Sequence, residues 1–142
     1  MEPRLSIVTL GVADLARSLR FYRDGLGLPT TRTPEQGIIF FQISGACLAL
    51  YPYAELAKDV GEFFLVPRSK FPGITIAHNV RTRQEVDQLL SLAAAAGAQI
   101  EKPAQNTDWG GYSGYFSDPD GYLWEIAWGA FEIKADGSLV VP

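Results

Sequence analysis

Residues 117–128 read SDPDGYLWEIAW, a tight turn that runs into a strand. Pro119 presets φ at the second turn position, and Asp118 and Gly121 suit the turn's ends, so the DPDG tetrapeptide serves to reverse the chain. Behind it the side chains alternate: Leu123, Glu125 and Ala127 share one face, while Trp124, Ile126 and Trp128 share the other. One carboxylate thus stands in the middle of a half-buried strand. Sliding the second half of the chain back by 76 residues lays Gly121 on Gly45 and Leu123-Trp124-Glu125-Ile126 on Cys47-Leu48-Ala49-Leu50.

The elements before each of these strands come in one order. Residues 5–12, LSIVTLGV, read as a strand, and Asp14 suits the N-cap of a helix over 15–24. Leu15, Leu19, Tyr22 and Leu26 form that helix's apolar stripe, and Gly25 and Gly27 stop it. Extended segments follow at 28–33, 38–43 and 46–52, with Ser44-Gly45 turning the chain between the last two. A connector occupies 54–72, with a helical turn at 54–59 and prolines at 67 and 72. The order then restarts. GITIAHNV at 73–80 is a strand, and Thr82-Arg83-Gln84-Glu85 has the capping-box spacing. Val86, Leu89, Leu90 and Ala93 face inward on the helix that follows, and extended segments come at 98–102, 111–117 and 122–128. The sequence therefore reads as an internal βαβββ repeat, one module over about 4–53 and one over about 73–128. The tail 129–142 forms a hairpin around Asp136-Gly137, suited to cover a sheet edge or a partner subunit.

Composition bounds what the protein does. The chain has 142 residues, 47% hydrophobic and 20% charged, which suits one globular domain with a real core. A formal net charge of −4, with Lys and Arg scattered, argues against nucleic acid as a partner. The single cysteine, Cys47, rules out an internal disulfide. No apolar run is long enough to span a membrane, and MEPRLSIVTL lacks the regions of a signal peptide, so a cytoplasmic protein is expected.

The two βαβββ units, the opening VTLGVADLARSLRFYRDGLGL and the closing DPDGYLWEIAW resemble the vicinal oxygen chelate superfamily. That group includes glyoxalase I, bleomycin-resistance proteins, fosfomycin-resistance enzymes and extradiol dioxygenases. The resemblance covers about residues 4–128. It implies an α+β fold in which two modules curve a mixed sheet into a cup, commonly within a homodimer. It also implies that metal-binding members draw ligands from positions matching Ile7, Ala49, Thr75 and Glu125. Two hydrocarbons and a neutral hydroxyl are poor donors, and one carboxylate cannot hold a divalent ion, so neither metal nor cofactor is expected. His78, the single histidine, shares a face with Ile74, Ile76 and Val80, beneath the helix if Thr75 faces the cup. A one-residue slip would bring it beside Glu125.

The expected ligand contacts are Thr9, Tyr51, Thr75, Trp109, Tyr112 and Glu125. Alternation puts Leu5, Ile7, Thr9, Cys47, Ala49 and Tyr51 on the cup face, making it apolar with a few hydroxyls and one acid. Trp109 and Tyr112, within QNTDWGGYSGYF, are placed at its mouth, either closing over a flat or cationic ligand or packing their own loop. Tyr115 and Phe116 are assigned to the core. Three roles are open to Glu125: a relic bonded to Thr75 or water, a recognition group for a donor or cation, or a general acid or base. Cys47 reads as a plain buried thiol rather than a nucleophile. The leading reading is a metal-independent protein that binds a small organic molecule, of the bleomycin-resistance type. The alternatives are a glyoxalase-like lyase or isomerase that uses Glu125 as its catalytic acid/base, and a protein-interaction module with a filled cup.

Overall fold

In the computed structural model, which describes residues 1, 5–61 and 73–140, the chain divides into two units, Met1–Pro72 and Gly73–Pro142. Pro67 and Pro72 of the expected connector lie outside the described residues. The architecture is α+β, with mixed sheets and few helices.

The first unit opens with strand β1 (Ile7–Val12) and helix α1 (Leu15–Leu19). Asp14 caps the helix, its carboxylate accepting the Arg17 N–H at 2.9 Å. That bond holds the Asp14 carboxyl below its ordinary pKa. The expected single helix over 15–24 is instead α1 followed by a π-helical turn, Arg20–Gly25. Within that turn the consecutive Phe21 and Tyr22 are both buried, packed edge to face at 5.0 Å. Strands β2 (Ile39–Gln42) and β3 (Cys47–Pro52) follow, then helix α2 (Tyr53–Val60), which is the expected helical turn one residue longer at each end. The sheet order is β1-β3-β2, with β1 parallel to β3 and β2 antiparallel to it.

One face of this sheet carries the core. Leu10, Val12, Ile39, Phe41, Leu48 and Leu50 are all buried there, and Tyr22 meets Phe41 at 5.9 Å. On the other face Thr9, Ala49 and Phe40 make one row across the three strands, and Ile7, Cys47 and Gln42 the next. The segment 28–33, expected to be extended and paired, is not a strand. Pro29 has no N–H to offer a ladder. The Thr30 side chain substitutes for one, donating to the Phe40 carbonyl at 2.7 Å and accepting the Arg32 N–H at 3.1 Å.

The second unit comprises β4 (Thr75–Asn79), α3 (Arg83–Ala95), β5 (Gln99–Asn106), β6 (Tyr112–Ser117), β7 (Leu123–Trp128) and a hairpin of β8 (Glu132–Ile133) and β9 (Leu139–Val140). Its four-stranded sheet has the order β4-β7-β6-β5. The capping box forms as its spacing requires: Thr82 Oγ1 accepts the Glu85 N–H at 3.2 Å, and Glu85 Oε2 accepts the Thr82 N–H at 2.8 Å. Helix α3 packs so closely on the sheet that a Cβ at Gly114 would lie 2.6 Å from Leu90 Cδ1 and 2.8 Å from the Lys102 carbonyl. The DPDG turn is structural, as its sequence indicates. Asp118 Oδ1 accepts the N–H groups of Asp120 and Tyr122 at 2.9 and 2.8 Å, and Gly121 takes the left-handed conformation at φ 84°. Strand β5 departs from a regular ladder twice, between Ile100 and Lys102 and between Lys102 and Gln105. The tail hairpin turns at Asp136-Gly137, and Arg81 reaches the Ile133 and Lys134 carbonyls, each at 3.5 Å.

Candidate functional site

The DPDG turn fixes the register of the strands on either side of it. Ser117 pairs with Leu123, Tyr115 with Glu125 and Ser113 with Ala127. On the far side of β7, Thr75 pairs with Leu123, Ala77 with Glu125 and Asn79 with Ala127. Gly114 faces α3 at van der Waals distance, so alternation turns Ser113, Tyr115, Ser117, Glu125 and Ala77 to the face away from that helix. Glu125 therefore lies between a methyl group and a phenol.

The phenol is engaged. Burial first, then the polar contact and charge of the neighbouring Glu125 carboxylate, push the Tyr115 pKa up to about 12. On the other side of Tyr115, Lys102 of β5 brings its Nζ to 5.9 Å from the centre of the phenol ring. The row across the sheet thus reads Ala77, Glu125, Tyr115, Lys102. In the next row Ser117 Oγ donates to Glu101 Oε1 at 2.7 Å. Tyr115, assigned to the core from sequence, belongs instead to this polar row.

Trp109 lies on the same face. A Cβ at Gly111 would fall 1.8 Å from its ring, and one at Gly129 would fall 2.5 Å from it. Alternation places these glycines in the rows continued by Ser113 and Ala127, so the indole lies flat across the end of the surface that holds Glu125. It is 53% exposed and contacts Phe131 at 5.8 Å between ring centres. Trp109 thus packs on its own loop and beside Phe131 while much of its ring stays exposed.

Tyr112, expected beside Trp109, turns the other way. Its hydroxyl donates to Asp87 of α3 at 2.9 Å, and the Arg83 guanidinium lies 5.3 Å from its ring and 4.8 Å from that of Trp128. The loop is shorter than expected, spanning 107–111, so Tyr112 opens β6 and falls one residue out of phase with Ser113. It is therefore not part of the Glu125 face. His78 pairs with Ile126 and so stands on the α3 side, but on the edge strand β4 it is exposed rather than packed beneath the helix. Partial desolvation holds the imidazole's pKa below its ordinary value, with the Glu85 charge opposing.

The remaining expected contacts sit as follows. Thr75 is exposed, one rung from Glu125 along the sheet and opposite Leu123 rather than beside the acid. In the first unit Thr9 is exposed, and Tyr51 is half-buried opposite Gly11. Cys47 is a free, half-buried thiol whose register neighbours are Ile7 and Gln42, neither of them cationic.

These neighbours bear on the metal that some proteins of this fold carry. Ile7 and Ala49 offer no donor atom, Thr75 a neutral hydroxyl, and Glu125 is flanked by Ala77 and Tyr115. Among the described residues no three His, Cys, Asp or Glu side chains group closely enough to hold an ion. The donor set does not fit a divalent metal.

Comparison with solved structures finds the same fold elsewhere. A glyoxalase-related enzyme from Fulvimarina pelagi is 41% identical over 98% of each chain, with a TM-score of 0.86. A glyoxalase/bleomycin resistance protein/dioxygenase from Nocardioides is 25% identical over 90% of this chain and 84% of its own, at a TM-score of 0.70. A lactoylglutathione lyase from Agrobacterium tumefaciens shares the fold at 21% identity, covering 89% of this chain and 94% of its own, with a TM-score of 0.66. No curated protein matches. The family model for glyoxalases, bleomycin resistance proteins and dioxygenases spans residues 4–126, which include both sheets and the Glu125 strand nearly to its end. With the element order, the register around the DPDG turn and the match along nearly the whole chain in agreement, this protein belongs to the glyoxalase/bleomycin resistance protein/dioxygenase superfamily.

Proposed function

We propose that the protein binds a small organic molecule, in the manner of the family's bleomycin-resistance type and without a metal ion. The ligand lies on the face of the second sheet that carries Glu125, with a donor or cationic group directed at the carboxylate. The observation that carries this reading is the row Ala77, Glu125, Tyr115, in which a half-buried acid stands between a phenol on one side and a small neighbour on the other. Ala77 leaves room beside the acid, and the Trp109 ring supplies an apolar and quadrupolar wall at the end of the same surface. Thr75 is proposed as a hydroxyl contact on that face; Thr9 and Tyr51 stand on the open face of the first unit's own sheet and are proposed as ligand contacts there.

The alternative is a glyoxalase-like lyase or isomerase with Glu125 as acid/base. The phenol beside Glu125, pushed up to about 12, offers no second proton donor near neutral pH, which supports the binding reading over the catalytic one. A homodimer in the cytoplasm completes the proposal. No helix among the described residues is long and apolar enough to cross a membrane.

Native mass spectrometry of the purified chain tests this. The expected result is one organic molecule per subunit, no metal, and loss of the adduct in Glu125→Gln. About one Zn, Fe, Mn or Ni ion per subunit, or an adduct indifferent to Glu125→Gln, would overturn it.

A further inference from the structure

A hollow of about 580 Å³ lies against strand β2 of the first unit, a volume in the range of small-molecule sites. It shares no residue with the Glu125 face. Phe40 and Gln42 line it from the strand, Arg23 from the end of the π-helical turn, and Leu28, Thr31 and Arg32 from the segment that follows. None of the side chains that line it is acidic. This is unusual on a chain whose formal net charge is −4.

Two features make the hollow selective. The first is a fixed cation. The Thr30 hydroxyl holds the Arg32 backbone N–H at 3.1 Å and is itself tied to the Phe40 carbonyl at 2.7 Å, so the base of Arg32 is anchored to the strand. The guanidinium then lies 5.6 Å from the centre of the Phe40 ring. Among the described residues it has no carboxylate partner. Arg23 differs, since its charge is met by Asp24 through Nε at 2.6 Å and Nη2 at 3.0 Å. Arg32 therefore supplies a planar fork of donors whose charge is uncompensated, the arrangement that matches a carboxylate. The second feature is the apolar wall of Leu28 and the Phe40 ring beside that fork.

We propose that this hollow is a ligand site for a small organic carboxylate. The carboxylate sits on the Arg32 fork with the Thr31 hydroxyl and Gln42 amide as further donors, and the apolar body lies against Leu28 and Phe40. A neutral amide forgoes the ion pairing and the second acceptor oxygen that the fork matches, and a compact inorganic anion gains nothing from the wall.

Amide-resolved NMR titration of the full chain with benzoate, benzamide and inorganic phosphate separates these contributions. Benzoate is expected to give saturable shifts at Gly27–Arg32 and Phe40–Gln42, with benzamide and phosphate each at least about tenfold weaker. Arg32→Gln should weaken benzoate at least about tenfold while the rest of the amide spectrum stays in place, and Arg32→Lys, which keeps the charge but not the fork, should weaken it less. The proposal is overturned by benzamide or phosphate binding as tightly as benzoate, by shifts centred elsewhere, or by benzoate affinity unchanged in Arg32→Gln.

Discussion

The Tyr115–Glu125 pair makes a quantitative claim about the site. Tyr115→Phe removes the hydroxyl, and Glu125→Met removes the carboxylate beside it. A hydrogen bond to a charged acceptor contributes about 1.5–3 kcal/mol when well enclosed. Both side chains here are half-buried, water competes, and a coupling of about 1 kcal/mol is expected. Urea unfolding of the wild type, the two single variants and the double variant gives that coupling directly, against the ~0.3–0.5 kcal/mol scatter of independent sites. The phenol supplies a second readout. In the wild type one tyrosine should ionise at about 12. In Glu125→Met the acceptor and its charge are gone but the burial remains, so the midpoint should fall yet stay above the ordinary value near 10. The sign for stability follows from linkage. A raised phenol pKa favours the folded state fully below the unfolded value near 10, and that contribution is lost as pH climbs through about 12. Far-ultraviolet circular dichroism recorded alongside separates ionisation in the folded protein from alkaline unfolding. A cycle that closes to within ~0.3 kcal/mol, together with a phenol midpoint unmoved by Glu125→Met, would refute the pairing.

Three further outcomes are expected. Gly111→Ala places a methyl group 1.8 Å from the Trp109 ring, so the indole must leave its seat; the tryptophan emission should shift to the red, and an unchanged spectrum would contradict the placement. The single histidine gives one imidazole signal by proton NMR, and its midpoint should lie below the ordinary 6.5 and fall further in Glu85→Gln. Because the folded pKa is lowered, the fold should lose stability as pH drops from 6.5 through the folded midpoint, and a histidine titrating above 6.5 would contradict the partial desolvation of the ring. Thr82→Ala removes the cap of α3 and should cost about 1 kcal/mol in chemical unfolding, with Thr82→Ser restoring most of it.

Local signals with one physical solution were legible in the sequence. Asp14, the Thr82–Glu85 box and the DPDG turn each satisfy specific backbone N–H groups, and each is found where its residues stand. The sheet face on which His78 stands followed from alternation, but its exposure at the edge strand did not. What failed was phase across a loop. Reading 105–116 as one aromatic loop set Tyr112 beside Trp109, whereas counting back from DPDG would have put Tyr115 opposite Glu125 and Tyr112 on the other face. The Arg32 hollow was missed for a different reason. Its contacts depend on a threonine side chain replacing a strand ladder, and neither hydropathy period nor spacing encodes that exchange.

The two irregularities in β5 have a consequence for assembly. This strand is the outer margin of the second sheet, where unpaired amides and carbonyls would invite a strand from another molecule. Within the second shift in register stands Pro103, which has no N–H, and Lys102, between the two shifts, carries a charge that an incoming apolar strand would have to desolvate. The β5 margin is thus closed to edge-on extension of the sheet by another molecule's strand.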